Sequence, residues 1–200
     1  MFICTFLFTI KEERKMSLDM NVFVEDLSDS IIPEILKRLN DFDMKVEIHP
    51  DFSFQTQTGF LPFKFTLENS KFDILKDKEL LSGFELYIDD YDFQKEKKHL
   101  QSKKNLFQKI FNKQTETEKR LSKCTKVLNF NWHLDITFEL RFVLLTSAII
   151  TEITNGVRHD PATDYWYENK NIVKEAFEDV EKFELSVSHD RLRFHEFEGW

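Results

Sequence analysis

Cysteine, glycine and proline are all scarce in this chain of 200 residues, which contains two, four and four of them. Small secreted scaffolds usually carry more cysteines at regular spacing. We therefore expect Cys4 and Cys124 to be reduced thiols of a cytoplasmic protein. Cys124 lies among lysines, which predicts a surface thiol with a lowered pKa.

Motifs for catalysis, cofactors and metals are absent as well. The six histidines form no HExxH or HxH sequence and no Cys/His set at zinc spacing. The four glycines provide neither a GxGxxG sequence nor a Walker loop, and no GxSxG nucleophile elbow occurs. The sequence thus predicts no cofactor and no metal, and it favours a protein that is not an enzyme.

No apolar run reaches the roughly 20 residues that a membrane span requires, and we expect no membrane association. The apolar run at residues 1–10 is followed by charged residues and by no small-residue cleavage site, unlike a signal peptide. Two interpretations stay open for it. It forms a buried edge strand, or residues 1–15 are a non-native or disordered extension upstream of a natural start at Met16.

The chain is rich in large apolar residues, with 41% hydrophobic residues and 22 phenylalanines. Alanine occurs only three times, which favours helices packed on a sheet over close helix–helix contacts. Alternation of apolar and polar residues predicts strands at 20–25, 45–49, 60–67, 84–89, 127–134 and in a hairpin at 157–167. Helical spacing predicts three helices, at about 31–42, 135–154 and 171–183.

Local signals refine this layout. Pro62 is expected to place its strand at a sheet edge. Asp135 is expected to cap the second long helix, and Asn155-Gly156 to end it with a left-handed turn. That helix is apolar on most sides, so it should be the most buried element.

The order strand, helix, strand, strand occurs twice, at 20–67 and at 126–168. This pattern predicts a single α+β domain over 16–200, with a mixed, largely antiparallel sheet and helices packed on one face. A lysine-rich helical insertion at about 92–125 separates the two halves. The tail at 185–200 adds a last strand or frays.

Charge is distributed unevenly along the chain. Residues 95–126 contain eleven Lys and Arg against three Asp and Glu, whereas the whole chain has a net charge of −8. The remainder therefore carries −16. The basic segment is a solvated helix or a basic arm, and the acidic remainder suits a basic partner. We expect no nucleic-acid partner, because few aromatic residues accompany the lysines and the acidic remainder repels phosphate.

Candidate binding residues lie in three places. Tyr87 points outward from its strand and is followed by the acidic cluster Asp89, Asp90 and Asp92, which lacks calcium-loop spacing. His133 ends the polar face of a strand beside the start of the long helix, where an anion could bind. The hairpin contributes Asp160, Tyr165 and Trp166, since exposed aromatic side chains often mark contact surfaces.

The strand patterns also predict one contiguous exposed sheet face, since antiparallel sheets commonly leave one side to water. Its predicted members are Glu47, His49, Lys64, Glu85, Tyr87, Asn129, Asn131 and His133.

The stretch ELRFVLLTSAIITEITNGVRHDPATDYWY (139–167) combines an apolar helix, a glycine stop, a short strand and an Asp-Pro turn followed by aromatic residues. It resembles a segment of small uncharacterised bacterial proteins, some of which look like immunity proteins of interbacterial toxin systems. This resemblance implies a non-enzymatic protein-binding module that neutralises a basic toxin. Two alternatives stay open: a small enzyme with an active site near His133, or a structural oligomer subunit. The oligomeric state stays open too.

Overall fold

The computed structural model describes residues 17–95, 97, 115–133, 135–167 and 170–200. The predicted extension at 1–15, most of the lysine-rich insertion and Leu134 lie outside the described residues. The strands are β1 (Ser17–Val24), β2 (Met44–Ile48), β3 (Gly59–Leu67), β4 (Leu80–Asp90), β5 (Lys126–His133), β6 (Val157–Asp160), β7 (Tyr165–Tyr167) and β8 (His195–Glu196). The helices with defined bounds are α1 (Ile32–Leu39), α2 (Glu116–Leu121), α3 (Glu139–Ile153) and α4 (Ile172–Ser186).

The strands form one sheet in the order β2-β3-β4-β5-β1-β6-β7, and β8 pairs with the start of β4. Every pairing between described strands is antiparallel, so the predicted mixed sheet is corrected to an antiparallel one. The strand–helix–strand–strand order is confirmed in both halves, as β1-α1-β2-β3 and β5-α3-β6-β7. The two halves meet where β1 pairs with β5.

The long helices cover one face of this sheet and confirm the α+β class. Helix α3 packs on the central strands β1, β4 and β5, with α1 and α4 on its flanks. Twelve of its fifteen residues are buried, as the apolar pattern predicts. The core between α3 and the sheet is largely aromatic: the Phe142 ring stacks on Phe63 at 4.7 Å and meets the edge of Phe65 at 5.0 Å.

Two local predictions are wrong. Helix α3 begins at Glu139, after a turn that includes Asp135, so Asp135 is not its cap. Strand β3 lies inside the sheet, between β2 and β4. Pro62 is tolerated there because β2 ends opposite Phe63, which leaves Pro62 paired only with Gly83 of β4. A Cβ on Gly83 would clash with the Leu61 carbonyl oxygen, so β3 and β4 require glycine at this position.

The end of α3 follows the predicted pattern. Asn155 adopts a left-handed backbone conformation with φ of 51°, and the Gly156 N–H donates to the Thr151 carbonyl at 2.8 Å. This reversal leads the chain from α3 directly into β6, beside β1.

The second face of the sheet is partly covered at one end. Phe23, Val127 and Val157 occupy adjacent strands on this face. They pack against residues from both described ends of the insertion, namely Tyr91, Phe93, Leu121 and Cys124. The exposed part of this face therefore lies between this second apolar cluster and the C-terminal strand β8.

Candidate functional site

Strand register places the polar side chains of four strands together on the sheet face opposite α3. Phe60, Glu85, Asn131 and Asp19 are consecutive cross-strand neighbours on β3, β4, β5 and β1. In the next row Tyr87 faces Asn129, and Asp89 follows Tyr87 on the same face of β4. We call these residues the central patch: Asp19, Phe60, Glu85, Tyr87, Asp89, Asn129 and Asn131. The patch brings Tyr87 and Asp89 of β4 together with residues of three other strands, β1, β3 and β5.

Neutral side chains hold the carboxylates of the central patch in place. The Tyr87 hydroxyl donates to Glu85 Oε2 at 3.1 Å, and the Asn129 amide donates to Asp89 Oδ2 at 3.0 Å. The Asn131 amide donates to Asp19 Oδ1 at 2.7 Å. The bond to Glu85 raises the pKa of Tyr87, because the carboxylate would repel a phenolate. These neutral donors orient the carboxylates without cancelling their charges.

Cations around the central patch are engaged with other carboxylates. Lys64 contacts Glu47 at 2.9 Å and Glu79 at 3.4 Å. Lys126 contacts Asp90 at 2.7 Å, and this contact lowers the pKa of Asp90. By contrast, no cation among the described residues forms a salt bridge with Asp19, Glu85 or Asp89. Among the described residues, the charges of these three carboxylates are therefore not compensated by any salt bridge.

Two aromatic side chains of the patch reach solvent. Phe60 is 51% exposed and Tyr87 is 39% exposed. Both extend from paired strands of the sheet: Phe60 of β3 is paired with Glu85, and Tyr87 of β4 is paired with Asn129. Exposed aromatic rings on a rigid support are typical of the residues that dominate protein-binding energetics.

The other predicted binding residues are dispersed. Asp90 pairs with Lys126, and Asp92 is exposed at the start of the insertion. Asp160 is buried, and its carboxylate accepts from the Ala162 N–H and the Thr163 hydroxyl inside the hairpin turn. Its role is therefore local, and it is not available to a partner.

The hairpin aromatic residues separate as the strand alternation predicts. Tyr165 is exposed on the helix side of the sheet. Trp166 is half-buried on the opposite side, where it stacks on His159 at 4.0 Å and lies 5.8 Å from Phe23. Trp166 thus contributes to the second apolar cluster.

His133 lies at the end of β5 beside the first turn of α3. Its backbone N–H donates to Glu139 Oε2 at 2.8 Å, and its ring nitrogen Nδ1 is 4.0 Å from the same oxygen. Burial raises the pKa of Glu139, and the His133 contacts oppose this shift. The His133 side chain is 40% exposed.

Cys124 is a free thiol, as expected, but the predictions of a surface position and a lowered pKa are wrong. Its thiol is buried in the second apolar cluster, where Sγ contacts the Arg120 carbonyl oxygen at 3.4 Å. Burial raises the pKa of Cys124 to about 11, and this outweighs the opposing effect of Arg120. The neighbouring lysines do not lower the pKa, because the apolar cluster penalises the thiolate more strongly.

Sequence analysis missed a cavity between the β6–β7 hairpin and α4. It has a volume of about 150 Å³ and includes Arg158, Tyr165, Tyr167, Glu175 and Asp179 among its walls. Arg158 and Asp160, two residues apart, share the helix-facing side of β6 and are both buried. The sequence signal for this site was a pair of charged residues two positions apart in a short strand, which places both on the same face. Charged side chains rarely face a core without a partner.

In the part of the chain that the structure describes, no helix is both long and apolar enough to cross a membrane. No group of three or more histidine, cysteine, aspartate or glutamate side chains there is arranged to hold a metal ion.

Comparisons of this chain with protein-family models, curated proteins and solved structures found no significant match.

Proposed function

We propose that this chain is a non-enzymatic binding protein that recognises a basic protein through the central patch. The observation that carries the proposal is the group of three carboxylates, on Asp19, Glu85 and Asp89, that have neutral hydrogen-bond donors and no salt bridge within the described residues. Phe60 and Tyr87 add exposed aromatic surface beside these carboxylates. A lysine- or arginine-rich surface would complement this combination of charge and aromatic area.

The supporting electrostatic argument concerns association. Uncompensated carboxylates attract a cationic partner before contact and raise its association rate. Because their hydrogen bonds already orient them, they lose little side-chain freedom on binding. The remainder of the chain outside residues 95–126 carries a net charge of −16, which extends the attraction beyond the patch.

An immunity protein that neutralises a toxin in the bacterial cytoplasm would have this design. Toxins that attack nucleic acid are commonly basic, so an acidic protein is a suitable antagonist. The resemblance of residues 139–167 to proteins of this kind supports the proposal. In the structure this stretch forms α3 and the β6–β7 hairpin. Helix α3 packs on the opposite face of the strands that carry the central patch, and β6 pairs with β1.

The enzymatic alternative near His133 has weaker support. Glu139, the nearest acid, is the first residue of α3 and already accepts the His133 backbone N–H. This is a structural task, and it accounts for the contact between the two residues.

The test is partner capture from the source cells with three immobilised baits. The first is the wild-type chain, and the second combines Glu85→Gln with Asp89→Asn. The matched control, Asp41→Asn with Glu181→Gln, removes the same charge at exposed positions outside the patch. A basic protein retained by the wild type and the control but lost from the patch variant supports the proposal. Equal retention on all three baits, an acidic partner or no partner at low salt contradicts it.

A further inference from the structure

Tyr87 lies between two carboxylates on the open side of β4. Glu85 and Asp89 are each two residues from Tyr87, so all three side chains are on one side of the strand. Each step of two residues is about 7 Å along a strand. The Tyr87 hydroxyl donates to Glu85 Oε2 at 3.1 Å, so the ring extends along β4 towards Glu85. An exposed aromatic ring is thus flanked along its strand by two carboxylates.

A second exposed ring borders Glu85 on its other side. Phe60 is the cross-strand neighbour of Glu85 on β3. A Cβ on Gly83 would come within 2.8 Å of Phe60 Cζ, so the Phe60 ring reaches across onto β4 above Gly83. Rings and carboxylates therefore alternate along the open side of β4, in the order Phe60, Glu85, Tyr87 and Asp89. The faces of aromatic rings attract cations, as carboxylates do.

Both carboxylates keep one oxygen for a partner. Glu85 accepts through Oε2 from Tyr87, and Asp89 accepts through Oδ2 from the Asn129 amide. Within the described residues, Glu85 Oε1 and Asp89 Oδ1 have no hydrogen bond or salt bridge. Asp89 is an exposed residue, and Glu85 Oε1 is not a buried atom. Both free oxygens are therefore accessible to a donor from outside the chain.

Lys64 shows how the same sheet face holds a cation. Its Nζ contacts Glu47 at 2.9 Å and Glu79 at 3.4 Å, and it lies 5.3 Å from the centroid of the Phe197 ring. One ring and two carboxylates thus surround one positive charge. The surface around Tyr87 offers the same groups, and no cation of the described residues forms a salt bridge with its carboxylates.

The spacing on β4 favours a guanidinium over an ammonium. Glu85 and Asp89 are four residues apart, which is about 13 Å along the strand, and the Tyr87 ring lies between them. A lysine ammonium is a compact charge that suits carboxylates converging on one point. An arginine guanidinium is flat, stacks on aromatic rings and carries donors on more than one edge. It can contact the ring and the carboxylates on both sides together.

Given the proposed function, we propose that the basic partner is recognised through an arginine whose guanidinium stacks on Tyr87. Its N–H groups donate to the free oxygens of Glu85 and Asp89. The partner surface for the central patch is therefore rich in arginine, and lysine at the same position would bind more weakly.

The test is isothermal titration of the full chain with two acetylated and amidated peptides, (Gly-Arg)₄ and (Gly-Lys)₄, at low salt. The peptides have the same length and charge, so long-range attraction is equal for both and the difference in affinity reports the contact itself. We expect the arginine peptide to bind the wild type at least about threefold more tightly than the lysine peptide.

Variants of Tyr87 locate this preference. Tyr87→Leu removes the ring but keeps an apolar side chain, and it should bind the two peptides with nearly equal affinity while its circular dichroism stays native. Tyr87→Phe keeps the ring and should retain most of the preference for arginine. Equal affinity of the two peptides for the wild type, or an unchanged preference in Tyr87→Leu, overturns the proposal.

The two double variants separate this outcome from a failure of the proposed function. The patch variant, Glu85→Gln with Asp89→Asn, should bind both peptides more weakly than the wild type. The control, Asp41→Asn with Glu181→Gln, should bind them like the wild type. If this difference appears but arginine and lysine bind equally, only the preference for arginine is wrong. If neither peptide binds, or if the patch variant matches the control, recognition of a basic partner through the central patch is contradicted as well.

Discussion

Replacing Arg158 with methionine should stabilise the fold. Nε and Nη2 of the buried Arg158 have no hydrogen-bond acceptor among the described residues. A buried charge that is not paired costs several kcal/mol, which an apolar side chain of similar length avoids. The replacement loses the stacking of the guanidinium on Tyr167, about 0.5–2 kcal/mol. We expect a net gain of about 1–4 kcal/mol, as found when hydrophobic residues replace buried ionic groups.

Arg141→Met is the matched comparison, since Arg141 is similarly buried but fully engaged. Arg141→Met removes the two hydrogen bonds from Nε and Nη2 to the Glu184 carboxylate. It also removes the hydrogen bond from Nη1 to the Phe42 carbonyl at 2.8 Å. Removing one partner of a buried pair costs about 3–5 kcal/mol. Urea unfolding at neutral pH, followed by circular dichroism, measures both changes. If Arg158→Met is destabilised as much as Arg141→Met, the reasoning about an unsatisfied cation is wrong.

Three further predictions concern individual side chains. Cys124 should react with iodoacetamide far more slowly in the folded chain than in urea. The raised pKa alone should lower the rate by about 100-fold. Peptide mass spectrometry measures both rates, and equal rates would contradict the burial of Cys124. Trp166→Ala should lower the free energy of unfolding in urea by about 2–4 kcal/mol, because Trp166 is half-buried against His159 and Phe23. Tyr87→Ala should lower it by less than about 1 kcal/mol, because Tyr87 is exposed. The reverse order would refute the assignment of Trp166 to the second apolar cluster. Burial raises the pKa of Glu139, so its protonated form favours folding, and this contribution is lost as pH rises through the raised pKa. The free energy of unfolding of the wild type, relative to that of Glu139→Gln, should therefore fall from acidic to neutral pH. A rise over the same range would contradict the direction of this pKa shift.

Local periodicity predicts much of this fold because it reports which side of each strand or helix is buried. Leu128, Phe130 and Trp132 alternate along β5 and all face the core. The continuous apolar surface of α3 likewise identifies the central helix. Period and burial are local properties, so one sequence displays them directly.

Strand neighbours are not local properties. The sequence contains no signal that β1 lies between β5 and β6, since these pairings join residues about one hundred or more positions apart. Pro62 illustrates the consequence, because its interior position depends on where the distant strand β2 ends. Tyr87 and Asp89 were identifiable from alternation on β4, whereas their association with Asp19 required the strand order.

The environments of Cys124 and Arg158 were also hidden from local patterns. Cys124 has basic sequence neighbours, but its spatial neighbours are Phe23 and Val157. Arg158 has a short, charged strand around it, a pattern typical of a solvent-exposed hairpin. Residues of α3 and α4 line the cavity beside it, so its environment depends on the packing of helices that are not its sequence neighbours.

The most direct test of the proposed function measures the association rate of the isolated partner by stopped flow over a series of salt concentrations. We predict that the wild-type rate falls with salt, and that Glu85→Gln with Asp89→Asn lowers both the rate at low salt and its dependence on salt. The control Asp41→Asn with Glu181→Gln should retain most of both, since its charges lie outside the central patch. Identical rates and salt dependence for the wild type and the patch variant would contradict recognition through the central patch.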